Sequence, residues 1–368
     1  MNAFLPVLLT FVLVPLTAFA QFTKQIETIL GPLESNAAPG AAMLVVQNGK
    51  AIFQRGYGVA NLKTHQKIDT ETNFRLASVS KQFTAAAIML LVHDGKLSYD
   101  DCLTNVFPEF PAYGRAITIR NLLNHTSGLP DYEDLMPAKY RETEKEEVLQ
   151  IHDAEVLKLL EGQSAAKFAA GSIWEYSNSG YVVLAMIVEK VSGQSFGEFL
   201  QKRIFAPLGM THTIAYEKGK NQVFHRAYGY ARKASGWREH DQSATSATLG
   251  DGGIYSSITD LQKWDEALRL HTLLTEDEMR PALTPVVSAH GQPYDPEGRP
   301  AAYGFGWFLN PYRNHKRMWH YGETVGFSTA IERFPDNQLT VVILCNREDL
   351  NAEALALKVA DALLGNER

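Results

Sequence analysis

Apolar residues gather in short runs towards the two ends of the chain, separated by turn-forming residues. Residues 42–46 and 51–59 flank Asn48-Gly49, a dipeptide typical of a two-residue turn between antiparallel strands. Towards the other end, Pro335-Asp336-Asn337 separates two further apolar runs. The sequence therefore predicts an early hairpin and a later group of strands, at residues 303–309, 317–321, 327–334 and 339–345.

Helical periodicity and glycine stops predict the remaining elements. The stretch 78–94 is apolar on every face from 85 to 92 and closes at Gly95, so this helix is expected to be buried inside the protein. Residues 96–249 are predicted to be mainly helical, with loops rich in Pro, Gly and Asn. Two further helices are predicted at residues 21–33 and 351–364.

Strands at both ends with helices between them indicate that the two ends of the chain build one sheet. We predict an α/β fold of the α+β type, in which N- and C-terminal helices flank an antiparallel sheet and a mainly helical domain is inserted between its second and third strands. A chain of 368 residues exceeds one ordinary core, which favours two packed units. The predicted sheet domain covers 21–95 and 250–368, and the helical domain covers 96–249. A cleft between two such units is a common small-molecule site.

Charge and cysteine content exclude several classes of protein. The chain has 35 Lys and Arg against 41 Asp and Glu, a net charge of −6 without a basic block, so nucleic acid is not an expected partner. Two cysteines cannot form a disulfide scaffold or a four-thiolate metal site. Cys345 lies in an apolar run, where a thiol usually acts as a small buried hydrophobe. We expect Cys102 and Cys345 to be unpaired, although an oxidising compartment would allow them to pair.

The first twenty residues carry no charged side chain and end in Ala18-Phe19-Ala20. A short apolar run before a small-x-small sequence is typical of a secretory signal peptide, cleaved here before Gln21. A permanent membrane span needs about 20 apolar residues, and two prolines interrupt this segment. We expect the protein to be exported, to the periplasm or the medium, with no stable membrane insertion after cleavage.

The motif Ser78-Val79-Ser80-Lys81 opens the predicted inner helix. Positions i and i+3 share a helix face, which selects Ser78 rather than Ser80 as the hydroxyl beside Lys81. Loss of hydration at the mouth of an apolar helix lowers the pKa of a lysine from about 10.4, and such an amine can activate a hydroxyl. The N–H groups of a helix N-terminus also suit a developing oxyanion. The structural alternative is a serine N-cap followed by a surface lysine.

Two further clusters hold polar groups suited to proton transfer and to substrate contact. Tyr176-Ser177-Asn178 offers an amide for a substrate carbonyl and a phenol whose proton a neighbouring Lys⁺ makes easier to lose. The structural alternative is a turn that caps the following helix. His320-Tyr321-Gly322 lies on a predicted strand, where a glycine lets a substrate backbone approach closely.

The three clusters, in the order 78, 176 and 320, resemble the signature of the penicillin-recognising serine hydrolases. These are the class C β-lactamases, the DD-peptidases, and the esterases and D-aminopeptidases of the same superfamily. The resemblance covers nearly the whole chain after residue 20, because four further stretches are similar to hallmarks of that superfamily. They are LLNHTSGLP at 122–130, FAPLGM at 205–210, GDGG at 250–253 and YGFGW at 303–307.

The resemblance implies a catalytic role for each matching residue. Ser78 would be the nucleophile that forms an acyl-enzyme, Lys81 its activating partner and Tyr176 the general base and acid. Asn178 would contact the substrate or the lysine. We expect no cofactor. No metal site is predicted either, because none of the eleven histidines forms His-x-His or His-Glu-x-x-His.

The third motif implies the substrate and oxyanion contacts. His320 and Gly322 would line the substrate site, and the backbone N–H groups of Ser78 and Glu323 would form the oxyanion hole. The superfamily often has Lys where this chain has His320, and an imidazole is only partly cationic near pH 7. Weaker binding of a substrate carboxylate is therefore expected, and the acidic side chain of Glu323 would weaken that binding further.

The resemblance implies a serine hydrolase for a small ester, an amide, a D-amino-acid peptide or a β-lactam, including short peptides derived from the cell wall. The alternative is a penicillin-binding sensor that is acylated but does not turn over. Acyl-group preference would depend on loops near 131–150, 225–247 and 286–302, whose conformations the sequence does not give.

Three other motifs have structural interpretations. Residues 193–197 match the Gly-x-Ser-x-Gly elbow of α/β-hydrolases, but Ser195 and Glu198 also form a capping box, which we favour. His125 is interpreted as a turn-forming residue rather than a catalytic one. The mixed charge run at 139–147 is interpreted as a solvated helix face or a flexible flap.

Overall fold

A five-stranded antiparallel sheet forms the centre of the fold in this computed structural model. The structure describes residues 16–140, 148–287, 294, 298 and 302–365. The strands of the central sheet and of three smaller sheets are β1 (Ala41–Gln47), β2 (Lys50–Tyr57), β3 (Val59–Asn61), β4 (Gln66–Lys67), β5 (Phe74–Arg75), β6 (Ile214–Ala215), β7 (Tyr230–Lys233), β8 (Gly236–Glu239), β9 (Ile254–Ser256), β10 (Met318–Thr324), β11 (Phe327–Phe334) and β12 (Leu339–Cys345).

The two ends of the sequence meet in the central sheet, whose strand order is β10-β11-β12-β1-β2. β1 pairs antiparallel with β12, so that Met43 lies opposite Ile343. Asn48 and Gly49 both have positive φ, 53° and 73°, which a two-residue turn between β1 and β2 requires. The predicted antiparallel sheet and its first hairpin are confirmed.

Helices cover both faces of this sheet. Ile26 and Val359 lie in one apolar cluster with Met43, whereas Leu44, the next residue of β1, belongs to the cluster on the opposite face. The helices are α1 (Leu16–Leu30), α2 (Lys81–His93), α3 (Leu103–Val106), α4 (Ile119–Leu123), α5 (Tyr132–Leu135), α6 (Asp153–Glu161), α7 (Asn178–Ser192), α8 (Phe196–Leu200), α9 (Ile258–Leu270), α10 (Glu276–Met279) and α11 (Ala352–Leu364).

α2 is the inner helix that the sequence predicts. Every side chain from Lys81 to Leu91 is buried, because α2 packs against α7 and other helices around it. Phe83, for example, lies 5.5 Å from the ring of Phe205 and 4.8 Å from the ring of Trp264. The expectation of a helix enclosed on every face is confirmed.

Two predicted elements differ from the structure. The first helix begins at Leu16 rather than at residue 21, because LTAFA at 16–20 contains no helix breaker and extends it. Residues 303–309 do not form a strand, because Gly306 has φ of 76° and turns the chain back on itself. Tyr303 and Phe308 then form only an isolated bridge.

The remaining features are placed as follows. Cys102 and Cys345 are both free thiols, as expected, and burial raises the pKa of Cys345 to about 12. Within the described ranges, no helix is long and apolar enough to cross a membrane. Residues 1–15 and 141–147 of the predicted signal and charge run lie outside the described residues. The domain boundaries stay predictions, and β6 pairs with β9 across the one at 250.

Candidate active site

Ser78 lies in a 3₁₀ turn, Ala77–Ser80, that leads directly into α2. Lys81 is the first residue of α2, and its ammonium donates a hydrogen bond to Ser78 Oγ at 3.0 Å. Ala77 has φ of 48°, a left-handed conformation that is costly for a residue with a β-carbon. The surrounding packing therefore holds the turn that presents Ser78.

All three protons of the Lys81 ammonium have acceptors. Besides Ser78, they are Asn178 Oδ1 at 2.9 Å and the backbone carbonyl of Asp251 at 2.9 Å. The side chain has no exposed surface, and this burial lowers the pKa of Lys81 to about 8, against the opposing attraction of Asp251 and Glu133. A lysine of this pKa can supply both the charged and the neutral amine near neutral pH.

The Tyr176 phenol is hydrogen-bonded to the Ser78 side chain. Lys81 Nζ lies over the tyrosine ring, 4.9 Å from its centroid. Burial raises the pKa of Tyr176 well above 10, because the ring packs against Phe308 and other aromatic side chains. The expectation that Lys81 would ease loss of the phenol proton is therefore wrong, and Tyr176 rests as a neutral phenol.

The segment after Tyr176 has the predicted cap and also joins the polar cluster. Ser177 is the N-cap of α7, and its hydroxyl accepts the N–H of Gly180 at 3.1 Å. Asn178, the first residue of α7, accepts from Lys81 and also hydrogen-bonds Glu133. Ser177 therefore has the capping role, and Asn178 makes the contact with Lys81 that the resemblance implies as one of two alternatives.

His320 is a buried, neutral imidazole. It is 1% exposed, and its Nδ1 lies 2.6 Å from the carbonyl of Tyr321, which can only accept, so Nδ1 carries the proton. Nε2 then accepts from the Tyr303 hydroxyl at 3.1 Å. Burial, reinforced by the charge of Lys81, lowers the pKa of His320 to about 3. The expected partly cationic substrate contact is wrong, because β10 directs this side chain into the aromatic core.

Gly322 lets β10 pass close to the Ser78 turn. A β-carbon on Gly322 would lie 2.3 Å from the carbonyl oxygen of Leu76 and 3.0 Å from the amide nitrogen of Ser78. No other residue type fits there without movement of the backbone. The sequence predicts that Gly322 allows a substrate backbone to approach closely. In the structure, the backbone that approaches it is that of Leu76 and Ser78.

Glu323 directs its backbone N–H to the side of β10 that faces away from β11. Trp319 exchanges backbone hydrogen bonds with Phe308 on the side away from β11. Peptide directions alternate along a strand, so Glu323, four residues later, has the same orientation as Trp319. Its side chain is exposed, and Glu323 lines the same cleft as Ser78.

This cleft lies directly beside Ser78 and has a mainly polar lining. Three carboxylates line it, whereas the guanidinium of Arg75 is buried and donates to the backbone carbonyls of Ser246 and Gly252. Acidic side chains therefore outnumber basic ones in the described lining of the cleft. Its polar lining comprises Arg75, Ser78, Tyr132, Glu133, Asn178, Thr245, Thr248, Asp251, Glu323 and Thr324.

Sequence reasoning missed the loop that supplies the third acceptor for Lys81. Asp153, at the start of α6, accepts the N–H groups of Leu249 at 2.9 Å and Gly250 at 3.3 Å and so holds Asp251 in place. Burial beside Asp251 raises the pKa of Asp153 to about 7. The GDGG motif marked this loop as a hallmark, but no sequence pattern shows that a backbone carbonyl is the functional group.

The Gly-x-Ser-x-Gly motif is a helix boundary, as we predicted. Ser195 is the N-cap of α8 and forms a capping box with Glu198, and Gly193 ends α7 with φ of 70°. Ser195 lines a separate surface cleft from Ser78. The α/β-hydrolase alternative is thereby excluded.

Ser78 is hydrogen-bonded to both a lysine and a tyrosine, between an antiparallel sheet and a group of helices. This arrangement is typical of serine hydrolases. The Beta-lactamase family model matches residues 20–366 of the chain. The protein belongs to the β-lactamase family.

Relatives and solved structures agree with this assignment. Penicillin-binding protein 4* of Bacillus subtilis (strain 168) is 33% identical over 354 residues, which cover 93% of this chain and 76% of that relative. A penicillin-binding protein homologue from Pyrococcus abyssi, described as octameric, superposes with a TM-score of 0.78 at 25% identity, covering 94% of this chain and 77% of that one. D-amino acid amidase from Ochrobactrum anthropi SV3 shares the fold, with a TM-score of 0.77 at 24% identity over 95% of this chain and 100% of that one.

Proposed function

We propose that this protein is a serine acyl hydrolase that forms an acyl-enzyme on Ser78. The observation that carries the proposal is the simultaneous contact of Ser78 with Lys81 and Tyr176. A serine hydroxyl is a weak nucleophile by itself and needs an adjacent base. Lys81 is the group in contact with Ser78 whose pKa is brought down to about 8.

In the acylation half, the neutral amine of Lys81 takes the Ser78 proton while Oγ attacks the substrate carbonyl. The Tyr176 phenol then gives its proton to the leaving nitrogen or oxygen, and the Lys81 ammonium returns a proton to the phenolate. This leaves Ser78 as an ester, with Lys81 neutral and Tyr176 protonated. A phenol whose pKa lies well above 10 is the correct starting form for proton donation.

In the deacylation half, a water molecule attacks the Ser78 ester. Lys81 takes a proton from the water, and its ammonium then protonates Ser78 Oγ as the ester bond breaks. The acid product leaves, and the resting state returns. The oxyanion of both halves would be bound by the backbone N–H groups of Ser78 and Glu323, donors typically worth about 2.7–4 kcal/mol each.

We propose that the preferred substrates carry no carboxylate beside the scissile bond. Glu133, Asp251 and Glu323 line the cleft, and His320 is neutral at the position where the superfamily often has a lysine. Like charges in a confined cleft repel an anionic substrate. Uncharged esters, and amides that bear an ammonium group, therefore fit this site better than β-lactams or peptides ending in D-Ala-D-Ala.

The test is a turnover panel with p-nitrophenyl acetate and butyrate, a D-amino-acid amide, nitrocefin and a D-Ala-D-Ala peptide. We expect the esters and the amide to have the higher kcat/KM, and mass spectrometry of proteolytic peptides to show an adduct at Ser78. Ser78→Ala should abolish turnover. Ser80→Ala is the matched control, because Ser80 is two residues away and its hydroxyl accepts the N–H of Ile254 at 3.2 Å.

Three outcomes contradict the proposal in whole or in part. Equal loss of turnover in a folded Ser80→Ala variant would show that Ser78 has no special role. A single burst of product from every substrate, without steady turnover, would identify the protein as a penicillin-binding sensor instead. Preference for nitrocefin would overturn the substrate class while leaving the acyl-enzyme in place.

We also propose that the protein is exported after cleavage before Gln21. The support is the uncharged apolar segment that ends in Ala18-Phe19-Ala20. Expression in a bacterial host should yield a periplasmic or secreted protein whose measured mass corresponds to a start at Gln21. Retention of the first twenty residues in a cytoplasmic product would contradict export.

A further inference from the structure

His125 makes the two backbone contacts that flank Tyr176. Its carbonyl oxygen accepts the N–H of Glu175 at 3.0 Å, and its ring Nδ1 accepts the N–H of Ser177 at 3.1 Å. His125 is 1% exposed and therefore offers these acceptors to the protein alone. One residue thus holds the neighbours of Tyr176 on both sides.

The segment that carries Tyr176 depends on contacts of this kind. Residues 173–177 form neither helix nor strand, so no regular ladder of hydrogen bonds fixes them. The turn after α4 supplies further acceptors to the preceding residues, because the Thr126 carbonyl accepts the N–H of Gly171 at 2.8 Å. The turn that begins at His125 is therefore the scaffold against which this segment is laid.

The imidazole also packs on the phenol ring. The ring centroids of His125 and Tyr176 lie 4.3 Å apart, and His125 lies 4.5 Å from Tyr303. Since Nδ1 accepts the Ser177 N–H, the neutral ring carries its proton on Nε2. Burial lowers the pKa of His125 well below 6.5, which keeps the Nδ1 lone pair available across the neutral range.

We propose that His125 is a positioning residue that sets the Tyr176 phenol against Ser78. This role rests on the proposed function, in which Tyr176 protonates the leaving group. A misplacement of about 1 Å in a reacting group can cost about 100-fold in rate. The hydrogen bonds that His125 accepts from Glu175 and Ser177, on the two sides of Tyr176, prevent such a displacement.

The backbone at this position narrows the choice of variants. His125 has φ of 63°, a conformation that Asn adopts more readily than most residues with a side chain. His125→Asn keeps this preference and places an amide oxygen close to the Nδ1 position. His125→Phe keeps an aromatic ring against Tyr176 but has no acceptor for the Ser177 N–H. Comparison of the two variants separates the effect of the hydrogen-bond acceptor from the effect of the aromatic ring.

The experiment compares kcat and KM of both variants on the best ester of the panel. We expect His125→Phe to lower kcat about 10- to 100-fold with KM changed less than about threefold, and His125→Asn to stay within about threefold of the parent in both. Thermal unfolding checks that both variants are folded. Where His125→Phe does not fold, His125→Gln replaces it, because its amide lies one methylene further out.

A double-mutant cycle shows whether His125 acts through Tyr176. In a Tyr176→Phe background, adding His125→Phe should lower the residual rate by less than about twofold. A full second loss in that background, or equal kcat for folded His125→Asn and His125→Phe, would overturn the inference alone. Turnover retained by Ser78→Ala would overturn the proposed function and this inference with it.

Discussion

The ammonium of Lys81 lies 3.0 Å from the hydroxyl oxygen of Ser78, with no part of the lysine side chain exposed to solvent. The two residues are three positions apart, at the junction of a 3₁₀ turn and α2. Burial stabilises the neutral amine relative to the ammonium, and the negative charges of Asp251, Glu133 and Asp131 oppose this effect only in part. The proton balance of this pair determines several measurable properties.

The rate of acylation should follow the titration of Lys81. Its pKa of about 8 means that the neutral amine is a minor form at pH 6 and the major form at pH 9. We expect log kcat/KM for an uncharged ester to rise by about one unit per pH unit below pH 8 and to level off above it. Initial rates in buffers of constant ionic strength measure this profile, and a rate independent of pH from 6 to 9 would contradict it.

Replacing Lys81 should stabilise the fold while abolishing activity. A lysine whose pKa is about 8 when folded and 10.5 when unfolded binds fewer protons in the folded state between those values, so its cost to stability is full below pH 8 and shrinks as the pH rises. We expect Lys81→Met to raise the free energy of unfolding by about 1–3 kcal/mol at pH 7. Denaturant unfolding at pH 7 and pH 10 measures the difference.

The gain from Lys81→Met should be smaller at pH 10 than at pH 7. Ser80→Ala, next to it in the same turn, provides a comparison without a change of charge. A Met variant less stable than the parent at both pH values would show that the lost hydrogen bonds outweigh the relief of burial.

A methyl group at Gly322 should damage the site more than the fold. The added carbon would meet backbone atoms of Leu76 and Ser78, which cannot rotate away. We expect Gly322→Ala to lower kcat at least tenfold and to destabilise the protein by about 1–3 kcal/mol. Gly31→Ala is the control, because an added β-carbon there meets nothing within 4 Å. Similar kinetics in the two variants would refute the close approach of β10.

The buried imidazole of His320 should make the protein sensitive to acid. Its pKa is about 3 when folded and about 6.5 when unfolded, so the unfolded chain binds more protons between those values and stability falls as the pH drops through them. We expect the free energy of unfolding to fall more from pH 7 to pH 4 in the parent than in His320→Gln, by about 2–4 kcal/mol. Urea unfolding at each pH gives the difference, and identical pH dependence would contradict it.

Removal of the Ser195 hydroxyl should leave catalysis intact. Ser195 caps α8 and lines a different cleft from Ser78. Ser195→Ala is expected to cost about 1 kcal/mol of stability through the lost cap, with kcat/KM within about twofold of the parent. Thermal unfolding and ester turnover check both statements. Loss of turnover in a folded Ser195→Ala variant would contradict this assignment and indicate that the serine of the Gly-x-Ser-x-Gly motif is catalytic.

Local spacing explains why part of the site could be predicted from the sequence. Ser78 and Lys81 are neighbours because they lie three residues apart in a helical turn, and the burial of the lysine follows from the apolar residues of α2 after it. The hairpin at Asn48-Gly49 is similarly local. The contact of Ser78 with Tyr176, in contrast, was inferred from resemblance, because no spacing rule connects residues so far apart.

Tertiary packing explains the wrong expectations. The pKa of Tyr176 and the charge of His320 depend on aromatic rings brought from other segments, such as Phe308 and Tyr303, and a single triplet does not contain that information. The strand predicted at 303–309 failed because the positive φ at Gly306 outweighed the apolar pattern. Asp251 contacts Lys81 through its backbone carbonyl, and His125 accepts hydrogen bonds from the backbone on both sides of Tyr176. Residue type alone does not reveal either contact.

Ser78, Tyr176 and Glu323 come from three distant stretches of the chain. Ser78 follows the early strands β1 to β5, and Glu323 lies on β10. Contacts of such long sequence separation require large loops to close, so they form late and slowly during refolding. Recovery of catalysis after dilution from denaturant should therefore follow the slowest kinetic phase, while helical signal returns earlier. Enzyme activity thus serves as a clock for the final assembly of the molecule.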